Sequence, residues 1–281
     1  MTTGTLLSLG HGYSARALSR RLVAEGWRVT GTTRSAEKAG RIRAEGAEAL
    51  LWPPEDPRAA LDGVDHVLVS AGPDESGDPA LALFGEALAE AAGRLAWVGY
   101  LSTTGVYGDH GGAWVDETTP PAPGTRRGAA RAAAERAWLG LFERRGVPVH
   151  VFRLGGIYGP GRSPFGKLRD GTARRIAKPG QVFGRIHVDD IATVLRASMA
   201  SPAPGAIYNV VDDVPEAPDV VLAHAAGLIG IEPPAAVPYD EIAPTLSPMA
   251  RSFYAECKRV SNARVKRELG VAFAYPSYRE G

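Results

Sequence analysis

The chain has 281 residues, 44% of them hydrophobic and 22% charged, with a formal net charge of +1. That length suits one large α/β domain, or one domain with a smaller lobe, and supplies ample material for a core. The near-zero charge points to no nucleic acid and no membrane surface, and Cys257, the single cysteine, excludes an intramolecular disulfide and fits a reducing compartment.

In chain order, residues 5–9 are a short apolar strand and 14–25 a helix with apolar spacing at Ala17, Leu18 and Leu22. Residues 28–33 are β-branched and strand-like, 36–45 helical, and 47–52 apolar again. A strand is expected over 66–70, a helix over 79–92, a strand over 95–101, a long amphipathic helix over 125–145 and a strand over 149–154. This alternation predicts a Rossmann-type α/β fold, a doubly wound parallel sheet with crossover helices on both faces. From 155 to 184 the regularity breaks; 190–200 then reads as a helix, 207–210 as a strand, and 215–281 as short helices among proline-containing loops. The expected organisation is a dinucleotide-binding domain over 1–160, completed by 186–212, with a smaller substrate lobe from 161–185 and 213–281. No apolar run approaches membrane-spanning length, and 5–9 is too short for a signal segment. A soluble, cytoplasmic protein is expected, and a homodimer is left open.

Residues 10–15 read Gly10-His11-Gly12-Tyr13-Ser14-Ala15, a G-x-G-x-x-A turn between a strand and a helix. Gly10 permits the tight turn, Gly12 lets backbone approach a pyrophosphate, and Ala15 lets helix and strand pack. The anion would sit at the helix N-terminus, on free N–H groups. The second strand runs into Thr33-Arg34-Ser35 with no acid to bind ribose hydroxyls. Arg34 and Ser35 would instead hold a 2′-phosphate, which favours NADP over NAD. No spacing of His, Cys, Asp or Glu suggests a metal site.

Three further segments carry a resemblance. Residues 101–108 read Leu-Ser-Thr-Thr-Gly-Val-Tyr-Gly, 153–161 read Arg-Leu-Gly-Gly-Ile-Tyr-Gly-Pro-Gly, and 185–192 read Arg-Ile-His-Val-Asp-Asp-Ile-Ala. With the glycine turn, and in this order, they resemble the extended short-chain dehydrogenase/reductases, the NAD(P)-dependent epimerase/dehydratase proteins, over nearly the whole chain. The resemblance puts the hydroxyl that bonds the reacting oxygen on Thr103. It places Ser70, Ala71 and Gly72 beneath the adenine ribose, and puts Thr104 and Tyr158 beside the substrate. The two acids of the dehydratase branch are replaced by Thr104 and Gly105, and the Asn of the R-x-x-N segment by Gly156. The Tyr-x-x-x-Lys pair is missing: in the register set by Glu135, Arg127 and Arg131 stand there. Arginine does not release its proton in a protein, so it is a poor general acid. Arg131 is expected on the cofactor and Arg127 on an anionic group of a small-molecule substrate, with Tyr107 as replacement acid. Asp189 and Asp190 are expected to cap the helix at Ile191. The seven basic residues and one acid between Arg162 and Arg185 suit a phosphate-bearing substrate or a solvated loop equally.

These residues imply an atypical family member that binds NADP. It is expected to be an oxidoreductase or epimerase acting on a carbonyl or hydroxyl, such as that of a sugar nucleotide. The alternative is a non-catalytic NADP-binding sensor.

Overall fold

The computed structural model describes residues 3–74 and 76–281. The first half contains β1 (Thr5–Leu9), α1 (Tyr13–Ala24), β2 (Arg28–Thr33), α2 (Ala36–Ala44), β3 (Glu48–Leu51), β4 (His66–Val69), α3 (Pro79–Glu90) and β5 (Trp97–Thr103). A 3-10 turn at Thr104–Tyr107 follows, then β6 (Trp114–Val115), α4 (Arg126–Arg145), β7 (Val149–Leu154), β8 (Gly156–Tyr158), α5 (Phe165–Arg169) and β9 (Arg175–Ala177). The remainder holds β10 (Arg185–His187), α6 (Val188–Ala200), β11 (Ile207–Val210), α7 (Pro218–Leu228), β12 (Ala236–Pro238), α8 (Tyr239–Ile242), α9 (Pro248–Tyr254), β13 (Arg259–Val260) and α10 (Ala263–Leu269).

Seven strands form one parallel sheet in the order β11-β7-β5-β4-β1-β2-β3. Its central strands are apolar on both faces because helices cover both. Alternate residues serve the two cores. Leu6, Leu68, Trp97 and Phe152 pack with α1 and α6, while Leu7, Val67, Val98 and Val149 pack with Phe84 of α3 and Trp138 of α4. The strand order reverses between β1 and β4, which opens a crevice at their carboxyl ends, where open α/β sheets bind ligands.

Side chains fix the helix starts. Asp78 caps α3 by accepting from the amides of Ala80 and Leu81, both at 3.0 Å, and its other oxygen accepts from the indole of Trp138 at 3.2 Å. Thr125 caps α4 through the amide of Gly128 at 3.0 Å. The helix expected at 190 begins at Val188, and its cap is His187, which accepts from the amide of Asp189 at 3.2 Å. Asp190 does not cap it: its carboxylate accepts from the amides of Ala274 and Tyr275 at 2.9 and 3.0 Å and holds the C-terminal segment instead. The strand expected over 95–101 runs on to Thr103, which stays extended to cap the 3-10 turn.

Three small parallel ribbons lie outside the main sheet: β8 with β10, β9 with β12, and β6 with β13. Strands of two or three residues carry no readable periodicity, so the stretch from 155 to 184 reads as irregular in the sequence. Among the described residues, no helix is long and apolar enough to cross a membrane.

Candidate cofactor and active site

The glycine turn lies at the crevice. Gly10 has φ of +84°, and a Cβ there would lie 2.7 Å from the amide nitrogen of Ala71, so the position requires glycine. The turn is tied to its neighbours on both sides. The amide of Gly10 donates to the Thr32 hydroxyl at 2.8 Å, and that of His11 to the Thr32 carbonyl at 3.1 Å. The Ser70 hydroxyl donates to the carbonyl of Gly10, and the amide of Ala71 to that of Leu9 at 3.1 Å. A Cβ on Gly12 would meet nothing within 4 Å. The amides of Tyr13, Ser14 and Ala15 open α1 and find no acceptor among the described residues, and no side chain caps this end. Three unpaired donors beside a bare, exposed glycine fit a pyrophosphate. Ala15 is fully buried beneath them.

His11, within the turn expected to bind the cofactor, turns inward. Its ring lies over Gly31 of β2, where a Cβ would come within 2.5 Å of the imidazole. Both ring nitrogens are buried without a partner, and burial lowers the pKa to about 4, so the ring is neutral and contributes packing. At the end of β2, Arg34 is exposed and close enough to Asp74 to help lower that carboxyl, whose main partner is the Ser76 hydroxyl. Ser35 caps α2 by accepting from the amide of Lys38 at 3.3 Å.

At the carboxyl end of β5, Thr103 is half-buried and its hydroxyl accepts from the amide of Gly105 at 3.1 Å, leaving its proton free to donate. Thr104, also half-buried, opens the 3-10 turn beside it. Arg131 reaches back from α4. Its guanidinium donates to the Leu101 carbonyl at 2.9 Å and the Tyr100 hydroxyl at 3.2 Å. A Cβ on Gly72 would lie 2.8 Å from its Nη2. Gly72 is therefore bare because a cation occupies that space, and Arg131 sits against the loop expected to carry the adenosine. Arg127, one turn earlier on the same helix face, is exposed and makes no ion pair or hydrogen bond among the described residues.

Tyr107 is not placed as a replacement acid. It is fully buried, its hydroxyl donates to Asn209 Oδ1 at 2.8 Å, and it accepts from Arg153 Nη1 at 2.9 Å. Arg153 stacks on its ring at 4.8 Å and grips Glu135 through Nε and Nη2. Glu135 also accepts from the Ser102 hydroxyl. Burial pushes the Tyr107 phenol up, so donating a proton would cost more than for a free tyrosine. Glu135, Arg153 and Asn209 are structural partners whose contacts across the sheet leave no local pattern in the sequence.

Tyr158 is also held elsewhere than expected. Its hydroxyl donates to the Ser277 carbonyl at 3.0 Å, its ring meets His187 edge-on, and the backbone of Gly281 packs against it. Three of the seven basic residues are used internally, while Lys167, Arg169 and Arg174 are exposed. Arg162 lies over the Tyr13 ring at 5.4 Å, Arg185 donates to the carbonyls of Phe183 and Glu216, and Lys178 donates to that of Tyr254.

Asp212, two residues beyond β11, is 2% exposed; its carboxylate oxygens make no close hydrogen bond and are met only weakly by the backbone of Arg185 and Val214. Burial raises its pKa to about 7, partly offset by Arg185. Unfolded, it ionises near 4, so its drag on stability is absent below pH 4, grows as pH rises and is complete above about 7. Asp212→Asn is expected to be more stable than the parent at pH 8, by up to about 4 kcal/mol, and so to melt higher there, with no gain at pH 4. Melting curves across that range check this, and an unchanged or lower melting point at pH 8 would show that the carboxylate is partnered.

A profile of the NAD dependent epimerase/dehydratase family matches residues 9–211. Protein YeeZ of Escherichia coli strain K12 is 29% identical over 280 residues, covering 95% of each chain. A functionally unknown conserved protein from Silicibacter pomeroyi DSS superposes with a TM-score of 0.94 at 59% identity, over 99% of this chain and 96% of the other. The dTDP-glucose 4,6-dehydratase of Bacillus anthracis, solved with NAD, superposes with a TM-score of 0.77 at 16% identity, over 100% and 94% of the two chains. That last likeness is one of fold.

Proposed function

We propose, from the premise that the chain belongs to the NAD-dependent epimerase/dehydratase family, that it is an NADP-dependent oxidoreductase or epimerase. Its substrate would be a small carbonyl or hydroxyl compound bearing an anionic group, with a sugar nucleotide as the leading class. The carrying observation is the glycine turn, whose unpaired amides at Tyr13, Ser14 and Ala15 surround the bare Gly12. Ser70, Ala71 and Gly72 border the adenosine, Arg131 holds the nicotinamide ribose or phosphate, and Arg127 meets the anionic group. When bound, the nicotinamide gives or takes a hydride, and the Thr103 hydroxyl donates to the reacting oxygen. A second reading, a sensor that binds NADP without turnover, is favoured by Arg127 at the tyrosine position and by the sequestered Tyr107 hydroxyl.

Arg34 and the absence of an acid at the end of β2 support NADP over NAD. Arg34 is expected to contribute about 1.5–3 kcal/mol to 2′-phosphate binding. NADPH should then bind at least about tenfold tighter than NADH, and Arg34→Ala should erase most of that ratio while leaving NADH affinity intact. Calorimetry of both proteins with both cofactors tests this. Equal affinities in the parent would return the site to NAD.

A further inference from the structure

Among the described residues, 274–281 lie outside any helix or strand, yet four hydrogen bonds strap them to the rest of the chain. Asp190, buried in α6, accepts from the amides of Ala274 and Tyr275 at 2.9 and 3.0 Å. The Pro276 carbonyl accepts from the amide of Asp213 at 2.8 Å, and the Ser277 carbonyl from the Tyr158 hydroxyl at 3.0 Å. The rings of this strap are seated too. Tyr275 lies 3.7 Å from the His187 ring, and Tyr278 meets His224 of α7 edge-on at 5.3 Å. Ser277 and Tyr278 are 5% and 7% exposed, so the strap is docked into the protein and not draped over it.

From its anchor on β8 the contact continues to the glycine turn. Gly159, next after Tyr158, has φ of +139°, and a Cβ there would lie 2.9 Å from His187 Nε2, from the Tyr13 hydroxyl oxygen and from Val188 Cγ1. Only glycine fits among those three groups. Residues 158–160 are therefore an arm wedged between the cap of α6 and the first residue of α1. The Tyr13 hydroxyl donates to the Pro160 carbonyl at 3.0 Å. Tyr13 also carries one of the three unpaired amides that open α1. Ser277, Tyr158, Gly159 and Tyr13 thus form one run of direct contacts from the strap to the turn.

We propose that residues 274–281 are a latch on the dinucleotide site. Docked, the strap holds the 158–160 arm against Tyr13 and keeps the amides of the turn in the arrangement that binds pyrophosphate. Released, it frees the arm, and the turn binds more weakly. Dinucleotide binding and strap docking then favour each other by one and the same factor, because coupling between two equilibria is reciprocal.

The latch rests on the cofactor reading above, and one set of measurements separates the two. Hydrogen exchange of the whole chain is followed by mass spectrometry, with and without NADPH, in the peptide carrying Ala274 and Tyr275. Saturating NADPH should slow their exchange at least about tenfold and leave that of α10, next to the strap in sequence, unchanged. Asp190→Ala with Tyr158→Phe removes three of the four bonds. Its strap should exchange like an unstructured peptide, and calorimetry should find NADPH affinity lowered by the factor seen in the parent's exchange. Tyr13→Phe cuts the bond to Pro160, and at saturating NADPH it should lose most of the protection of the strap. An unprotected strap in the parent, equal protection of α10, full protection in Tyr13→Phe, or a released strap with parental NADPH affinity would each overturn the latch. The first two need no variant, so they decide the matter even where the double variant does not fold. If the parent fails to bind NADPH, the cofactor reading falls and takes the latch with it. If NADPH binds and the strap is unprotected, the latch alone falls.

Discussion

Replacing Arg153 with methionine will destabilise the protein by about 3–5 kcal/mol, the usual cost of leaving a buried carboxylate without its partner. Arg153 and Glu135 are 3% and 2% exposed and meet at 2.7 Å, so no solvent screens the orphaned charge. The same substitution strips the Tyr107 hydroxyl of its donor and the Tyr107 ring of a cation. Urea unfolding of parent and variant measures the loss, and one below about 1 kcal/mol would show that Glu135 takes up a proton or finds another partner. The double variant Arg153→Met with Glu135→Leu should recover most of the loss, because an apolar pair of similar volume removes both buried charges.

Gly12→Val will weaken NADPH binding by at least about a hundredfold, or 2.7 kcal/mol, while leaving the fold nearly untouched. The added side chain enters the empty space proposed for the cofactor's phosphates, and the backbone there (φ −91°, ψ −160°) is extended and open to any residue. Gly10 gives the opposite separation: its positive φ and its approach to Ala71 mean that even alanine would disturb β1 and β4 together. Calorimetry paired with thermal melting distinguishes the cases. A Gly12→Val protein that melts normally and binds NADPH normally would remove the turn from the site.

The fold was legible where periodicity was strong. Four of the seven main strands, β1, β2, β7 and β11, lie at their expected bounds because each is a continuous apolar or β-branched run closed by a turn. The glycine turn was legible because its residues are local in sequence. The surroundings of the two tyrosines were not. Tyr107 sits in a motif that suggests chemistry, but its environment is set by Arg153 and Asn209, far away in the chain. Tyr158 likewise meets residues near 280 that no local pattern announces.

The pairing of β6 with β13 bears on how the chain reaches its native state. Among the described residues, Trp114 and Val115 find their strand partners in Arg259 and Val260, so this short strand stays unpaired until residue 260 has been synthesised. The parallel sheet can close around α1, α3 and α4 earlier, from shorter-range contacts. Joining distant segments carries the larger entropic barrier, and such contacts form slowly. Strand β13 should therefore dock late. A ribosome-bound intermediate would hold a formed nucleotide crevice while β6 still lacked its partner.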